Sequence, residues 1–157
     1  MGLADEEAVA RAYDEIIGAA ARAQPTARIV GVSVQRMAPT GIEVIIGGFR
    51  DPIFGPVVMF GLGGVLVEAF KDVSFRITPL STQNARDMIR QIRSYPILQG
   101  VRGQKAVDIG KLEQTLLAVS AFMECNQEVA ELDLNPVFAY SNGLVAADAR
   151  VALVPLR

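Results

Sequence analysis

The chain has 157 residues, one cysteine and no histidine, with 15 basic against 17 acidic side chains and a formal net charge of −2. This is one domain (1–157) of ordinary size, able to bury a core, with a charge balance that excludes a general nucleic-acid or anionic-membrane binder. The lone Cys125 excludes an intrachain disulfide and fits a reducing, cytoplasmic setting, while the lack of histidine excludes a Cys/His zinc site and obliges any phosphohistidine to come from another domain or chain.

Asp5-Glu6-Glu7 ahead of Val9, Ala12, Tyr13, Ile16 and Ile17 predicts an amphipathic helix to about Arg22, its acids at the positive end of the dipole and Gln24-Pro25 at its stop. This helix begins almost at residue 1 with no strand before it, which points to a chain that is part of something longer. No signal-peptide pattern opens the chain. Arg28 to Met37 alternates Val30, Val32 and Val34 with Gly31, Ser33 and Gln35 and predicts a strand. Ile42 to Phe49, with Glu43 its only charge, predicts a second, and Val57 to Phe60 a third, with turns at Ala38-Pro39-Thr40-Gly41 and Arg50-Asp51-Pro52. Gly61-Leu62-Gly63-Gly64 matches neither a P-loop nor a dinucleotide fingerprint; it reads as a tight turn or as a place where backbone approaches a ligand. The run Pro56 to Val67 is too short and too glycine-broken to span a bilayer.

Val65 to Phe70 and Val73 to Ile77 predict two short strands, with Glu68, Asp72 and Arg76 as exposed charges. Ser81 or Thr82 caps a helix through Ile92, stopped near Tyr95-Pro96, and Asp108 caps a longer one with Leu112, Leu116, Leu117, Val119 and Met123 on its apolar side. The sum is α+β: a mainly antiparallel sheet with about three helices on one side.

The chain closes on a hairpin. In Glu131-Leu132-Asp133-Leu134-Asn135-Pro136 the leucines point to one face, and Glu131, Asp133 and Asn135 to the other. Ser141-Asn142-Gly143 signals the turn, and Leu144 to Leu153 returns with Asp148 as its one carboxylate. A two-residue Asn142-Gly143 loop puts Asn135 opposite Arg150 and Asp148 opposite Val137. A four-residue Tyr140–Gly143 loop puts Asn135 opposite Asp148. In either register the two share a face within one diagonal. The pair, with Asp133 beside it, reads either as the solvated face of an antiparallel hairpin or as an oxygen-ligand set suited to Mg²⁺ carrying phosphate oxygens.

Several stretches together resemble the ATP-grasp module of ADP-forming acyl-CoA synthetases, relatives of the succinyl-CoA synthetase β subunit. They are Val32 to Met37 with Gly41-Ile42-Glu43, Arg50 to Gly64, Lys71 to Leu80, Glu131 to Pro136, and Ala147-Asp148-Ala149-Arg150. The block Arg50 to Gly64 is the most specific of them. The resemblance implies the second, C-terminal lobe of a two-lobed nucleotide site, with the first lobe and the histidine-bearing CoA-binding domain supplied from elsewhere.

Carried onto this chain, the resemblance implies adenine read by the backbone of Gln35, Arg36 and Met37, and ribose hydroxyls met by Glu43. It implies Mg²⁺ on Asn135 and Asp148, and Asp133 facing the incoming phosphohistidine, where relatives have Glu. Gly63 and Gly64 match a turn near the phosphates; Asp51 and Arg76 are typical of the family without a role. ATP and Mg²⁺ are then the cofactors, and phosphoryl transfer to a histidine the chemistry. The competing implication is a regulatory synthetase-like segment of a protein acetyltransferase fusion, and a third is a lobe kept as a subunit-contact scaffold.

Overall fold

The computed structural model describes residues 2–64, 72–101, 103 and 105–154. The chain divides into two compact units, Met1–Met37 and Ala38–Arg157.

The first unit holds one helix, α1 (Glu6–Ala23). Asp5 caps it, its carboxylate accepting the Ala8 N–H at 2.7 Å, and Glu6 and Glu7 complement the positive end of the dipole. The expected strand over Arg28–Met37 does not form: residues 27–37 carry no regular structure. Alternation supplies a pleated surface but no ladder partner, and the described part of this unit contains no other strand with which those backbone groups could pair.

The second unit is built on a six-stranded antiparallel sheet. Its strands are β1 (Ile42–Asp51), β2 (Gly55–Leu62), β3 (Val73–Ile77), β4 (Val129–Tyr140), β5 (Gly143–Ala146) and β6 (Ala149–Leu153). The order is β3-β2-β1-β4-β5, with β6 also paired to β4. Three helices follow β3: α2 (Thr82–Gln91), the single turn α3 (Tyr95–Leu98) and α4 (Ile109–Cys125). Helix α2 ends at the Ile92 cap, and Pro96 falls in the first turn of α3, where its missing N–H costs nothing. The expectation of a strand at Val65–Phe70 lies outside the described residues.

Val44, Ile46, Val58, Phe60, Leu132 and Val137 meet Met88 and Ile89 of α2 and Leu112, Leu116, Val119 and Met123 of α4 in one core. Gly48 shows how closely α4 sits on β1: a Cβ there would lie 2.8 Å from Met123 Cγ. With the helices against that face, parity turns Glu43, Ile45, Gly47 and Phe49 of β1, and Glu131 and Asp133 of β4, to the opposite one.

Two charges that the sequence leaves without a role, or reads as exposed, are structural. Arg50 donates to the carbonyls of Met123 (2.5 Å) in the last turn of α4, of its cap Asn126 (2.8 Å) and of Val129 (2.8 Å) at the start of β4. Arg50→Ala is expected to lower unfolding free energy by about 3 kcal/mol in urea titration, since part-buried carbonyls lose a charged donor. Asp72 accepts the N–H groups of Arg93 (2.8 Å) and Ser94 (2.7 Å) and so joins β3 to the segment after α2. Asp51, also without a role in the sequence, accepts from Ile53 and Phe54 N–H and shapes the β1–β2 turn. Arg76 donates to Gln91 Oε1 at 2.8 Å across to α2.

Candidate functional site

The hairpin closes in the register that faces Asn135 with Asp148, but through a tighter turn than the sequence indicates. Tyr140 pairs with Gly143, leaving a two-residue Ser141-Asn142 loop. The same register pairs Val137 with Ala146 on one side and Leu134 with Ala149 on the other. Between these ladders the returning strand breaks at residues 147–148. There Asn135 N–H donates to Asp148 O at 3.3 Å and Ala147 N–H to Pro136 O at 2.9 Å. The break has a counterpart on the other edge of β4. Pairing with β1 shifts by one residue between Val44–Val137 and Ile46–Leu134, a bulge that accommodates Asn135-Pro136, whose peptide is cis.

Two irregularities thus meet at one point. The bulge returns Val137 and Ala139 to the core after Leu132 and Leu134, while Asn135 stays exposed. Asp148 is exposed as well, and its Oδ1 accepts the Ala149 N–H at 2.9 Å.

Asp133 lies one side-chain repeat from Asn135 on the same face, directly opposite Gly47 of β1 and Arg150 of β6. Partial burial raises its carboxyl above the ordinary range; Glu131 adds to this, Arg150 opposes it, and Asp148 adds again. The sign follows from linkage. As pH rises from the ordinary value of 3.8 toward the raised one, the unfolded chain ionises Asp133 before the folded chain does, so stability falls across that window and stays lower above it. Asp133→Asn is therefore expected to be the more stable form at pH 7 by ~0.5 kcal/mol, solvent screening keeping the gain small, and to match the parent at pH 3. Urea unfolding at the two pH values checks this.

Glu43, half-buried at the start of β1, is held by the glycine turn. Gly63 N–H donates to Glu43 O at 2.6 Å, and a Cβ on Gly63 would stand 2.8 Å from Glu43 Cβ and 2.9 Å from its carbonyl carbon. Gly64, at φ +74°, lies against Glu43 Oε2. The structure brings Glu43, Gly63 and Gly64 into one contact, and it joins Asn135 to Asp148 through the backbone with Asp133 two positions away on β4. Gln35, Arg36 and Met37 belong to the first unit, where they line, with Val9, Tyr13 and Ile16 of α1, a cavity of about 620 Å³. A second cavity of about 600 Å³, edged by Pro39, Ile42, Val107 and Tyr140, takes in none of the nominated residues.

Asn135 and Asp148, joined by a backbone hydrogen bond where the ladder breaks, offer an amide oxygen and a carboxylate as two hard oxygen ligands. Among the described residues no group of three or more histidine, cysteine or acidic side chains forms a metal cage. The donor set is open. It fits a divalent cation that keeps waters and arrives with phosphate oxygens, as Mg²⁺ does, better than a resident cation held by protein alone. No described helix is long and apolar enough to cross a membrane.

The family model for the ATP-grasp domain matches residues 1–153. The chain is 48% identical over 149 residues to the acetate–CoA ligase [ADP-forming] I subunit beta of Pyrococcus furiosus, covering 95% of this chain and 64% of that protein. Among solved structures it is similar to the Ca. Korarchaeum cryptofilum dinucleotide forming acetyl-coenzyme A synthetase 1 in complex with coenzyme A, Ca-AMPCP and HgCl+. That match has 50% identity and a TM-score of 0.94 and covers 98% of this chain and 67% of that one. A further structure of that synthetase, with coenzyme A and Mg-AMPPCP and its phosphohistidine segment pointing towards the nucleotide binding site, matches at 47% identity and a TM-score of 0.85. It is covered over 96% of this chain and 65% of that one.

Proposed function

The chain belongs to the ATP-grasp domain family, and from that membership we propose that it is the second nucleotide-binding lobe of an ADP-forming acyl-CoA synthetase. The single observation that carries this reading is the meeting of Asn135 and Asp148 where a bulge in β4 faces a break between β5 and β6. Relatives with ligase and synthetase names favour this over a regulatory segment of an acetyltransferase.

In this reading Asn135 and Asp148 hold Mg²⁺ on the nucleotide phosphates, and the ion, when bound, neutralises charge that develops on the transferred group. Glu43 hydrogen-bonds the ribose hydroxyls, fixed for that by the backbone contact with Gly63. The segment Gln35-Arg36-Met37 meets adenine through its backbone. Asp133 faces the histidine of a CoA-binding domain or subunit and orients its ring by accepting an N–H. The imidazole nitrogen then forms an N–P bond to the γ-phosphorus, and the bond from that phosphorus to the β–γ bridging oxygen breaks with its electron pair left on ADP. The ring proton leaves from the other nitrogen. The phosphohistidine so formed drives acid and CoA to acyl-CoA and phosphate elsewhere in the enzyme. The lobe's own contribution is positioning and charge placement, which carry most of the catalysis in phosphoryl transfer.

The test is chemical. The complete enzyme, given γ-labelled ATP and Mg²⁺, is expected to hold label that is stable to base and released by acid, as phosphohistidine is. Asp133→Ala is expected to lower the rate of labelling on the order of 10²-fold, with nucleotide affinity little changed. No label in the parent, or full labelling in Asp133→Ala, contradicts the reading.

A further inference from the structure

We propose that Arg150 is a catalytic residue of the phosphoryl transfer, its guanidinium binding the non-bridging oxygens of the phosphoryl group on its way from nucleotide to histidine. This rests on the assignment of Asn135 and Asp148 to the metal and of Asp133 to the histidine. The β4–β6 ladder sets Arg150 directly opposite Asp133. Asp148 stands two positions before it, where the returning strand breaks, and the charges of both residues act on the Asp133 carboxyl. Arg150 therefore stands beside the residue assigned to the acceptor and next to one assigned to the metal, the interval that the phosphoryl group must cross.

Its surroundings make it available. Glu131, Asp133 and Asp148 all lie along this strip, yet the ion pairs among the described residues are Arg11–Glu7 and Arg86–Glu113. Arg150 is exposed and donates none of the side-chain hydrogen bonds found among those residues. A guanidinium offers five donors in a planar fork that matches a phosphate edge, and here no carboxylate closes on it. Charge points the same way. Three carboxylates on the strip repel an incoming phosphate; with Arg150 and one divalent cation the strip is neutral. Without Arg150 a net negative charge would face the most highly charged part of the nucleotide at the moment of transfer.

During transfer the imidazole nitrogen gains the phosphorus and ADP retains the electron pair of the broken P–O bond. Arg150 keeps its protons throughout and contributes two N–H donors to the equatorial oxygens, whose charge it offsets.

The test uses the complete enzyme with γ-labelled ATP and Mg²⁺. Arg150→Gln is expected to slow phosphohistidine formation on the order of 10²–10³-fold, while the Kd for Mg·AMPPCP moves less than about threefold and the melting temperature stays within about 2 °C. Arg150→Lys is expected to recover about tenfold of the loss, since it restores the charge without the fork. Labelling at the parental rate in Arg150→Gln overturns the proposal. So does a loss that runs in proportion to melting temperature or nucleotide affinity, which is what a structural role produces. Asp148→Ala separates the two levels: its inactivity beside an active Arg150→Gln rejects only the role of Arg150, whereas parental labelling in Asp148→Ala rejects the metal assignment as well.

Discussion

Asp148→Asn in the complete enzyme is expected to lower phosphohistidine formation on the order of 10²–10³-fold, the few kcal/mol that a metal contributes to transition-state charge stabilisation. The substitution is informative because the fold does not depend on the charge. Asp148 joins the sheet through its backbone, its carbonyl accepting the Asn135 N–H at 3.3 Å, and its Oδ1 accepts only the neighbouring Ala149 N–H. Asparagine keeps an oxygen for that bond and removes the negative ligand. Asn135→Ala is expected to act similarly, since its exposed side chain supports none of the core. Both variants should unfold at parental urea concentrations. Rapid-quench labelling together with urea unfolding measures the two quantities separately.

The second large effect is expected at Gly63. Its N–H is 2.6 Å from Glu43 O, and any Cβ would press on the backbone carbonyl of Glu43, which cannot swing away as a side-chain tip could. Gly63→Val must push the turn off β1 or displace Glu43. Overpacking of this kind costs about 1–3 kcal/mol. The functional loss is expected to exceed the structural one, because Glu43 moves with the strand that carries it: a misplacement of about 1 Å at a positioning group lowers rates on the order of 10²-fold. Weaker nucleotide binding in Gly63→Val, with Gly48→Ala near parental affinity, would separate this contact from general sheet damage. Gly48 faces α4 and Met123, away from the proposed site.

Apolar runs bounded by turn residues were sufficient for β1, β2 and β3, and helix caps at Ser81 and Asp108 fell where the sequence puts them. Period-two alternation failed at Arg28–Met37, because it reports a surface that could pair and not whether a partner strand exists. Parity brought Asn135 and Asp148 within one diagonal in either register, and the structure chose the one that sets them opposite. The bulge opposite Ile45 and the break at residues 147–148, which leave both side chains exposed, did not follow from parity, since no local residue pattern encodes them. Arg50 and Asp72 were illegible for a related reason. Their partners are backbone groups 73–79 and 21–22 residues away, and a lone charge carries no mark of the carbonyl or N–H it will meet. Arg150 was visible within a motif but acquired a meaning only when the register put it opposite Asp133.

The central claim, that Asn135 and Asp148 hold the metal carried by the nucleotide, is tested most directly by the Mg²⁺ dependence of nucleotide binding in the complete enzyme. Titration of AMPPCP with and without Mg²⁺ is expected to give a Kd at least about tenfold lower with the ion in the parent, and a ratio near one in the Asn135→Ala/Asp148→Ala double variant. A double variant that kept the parental Mg²⁺ enhancement would contradict the assignment.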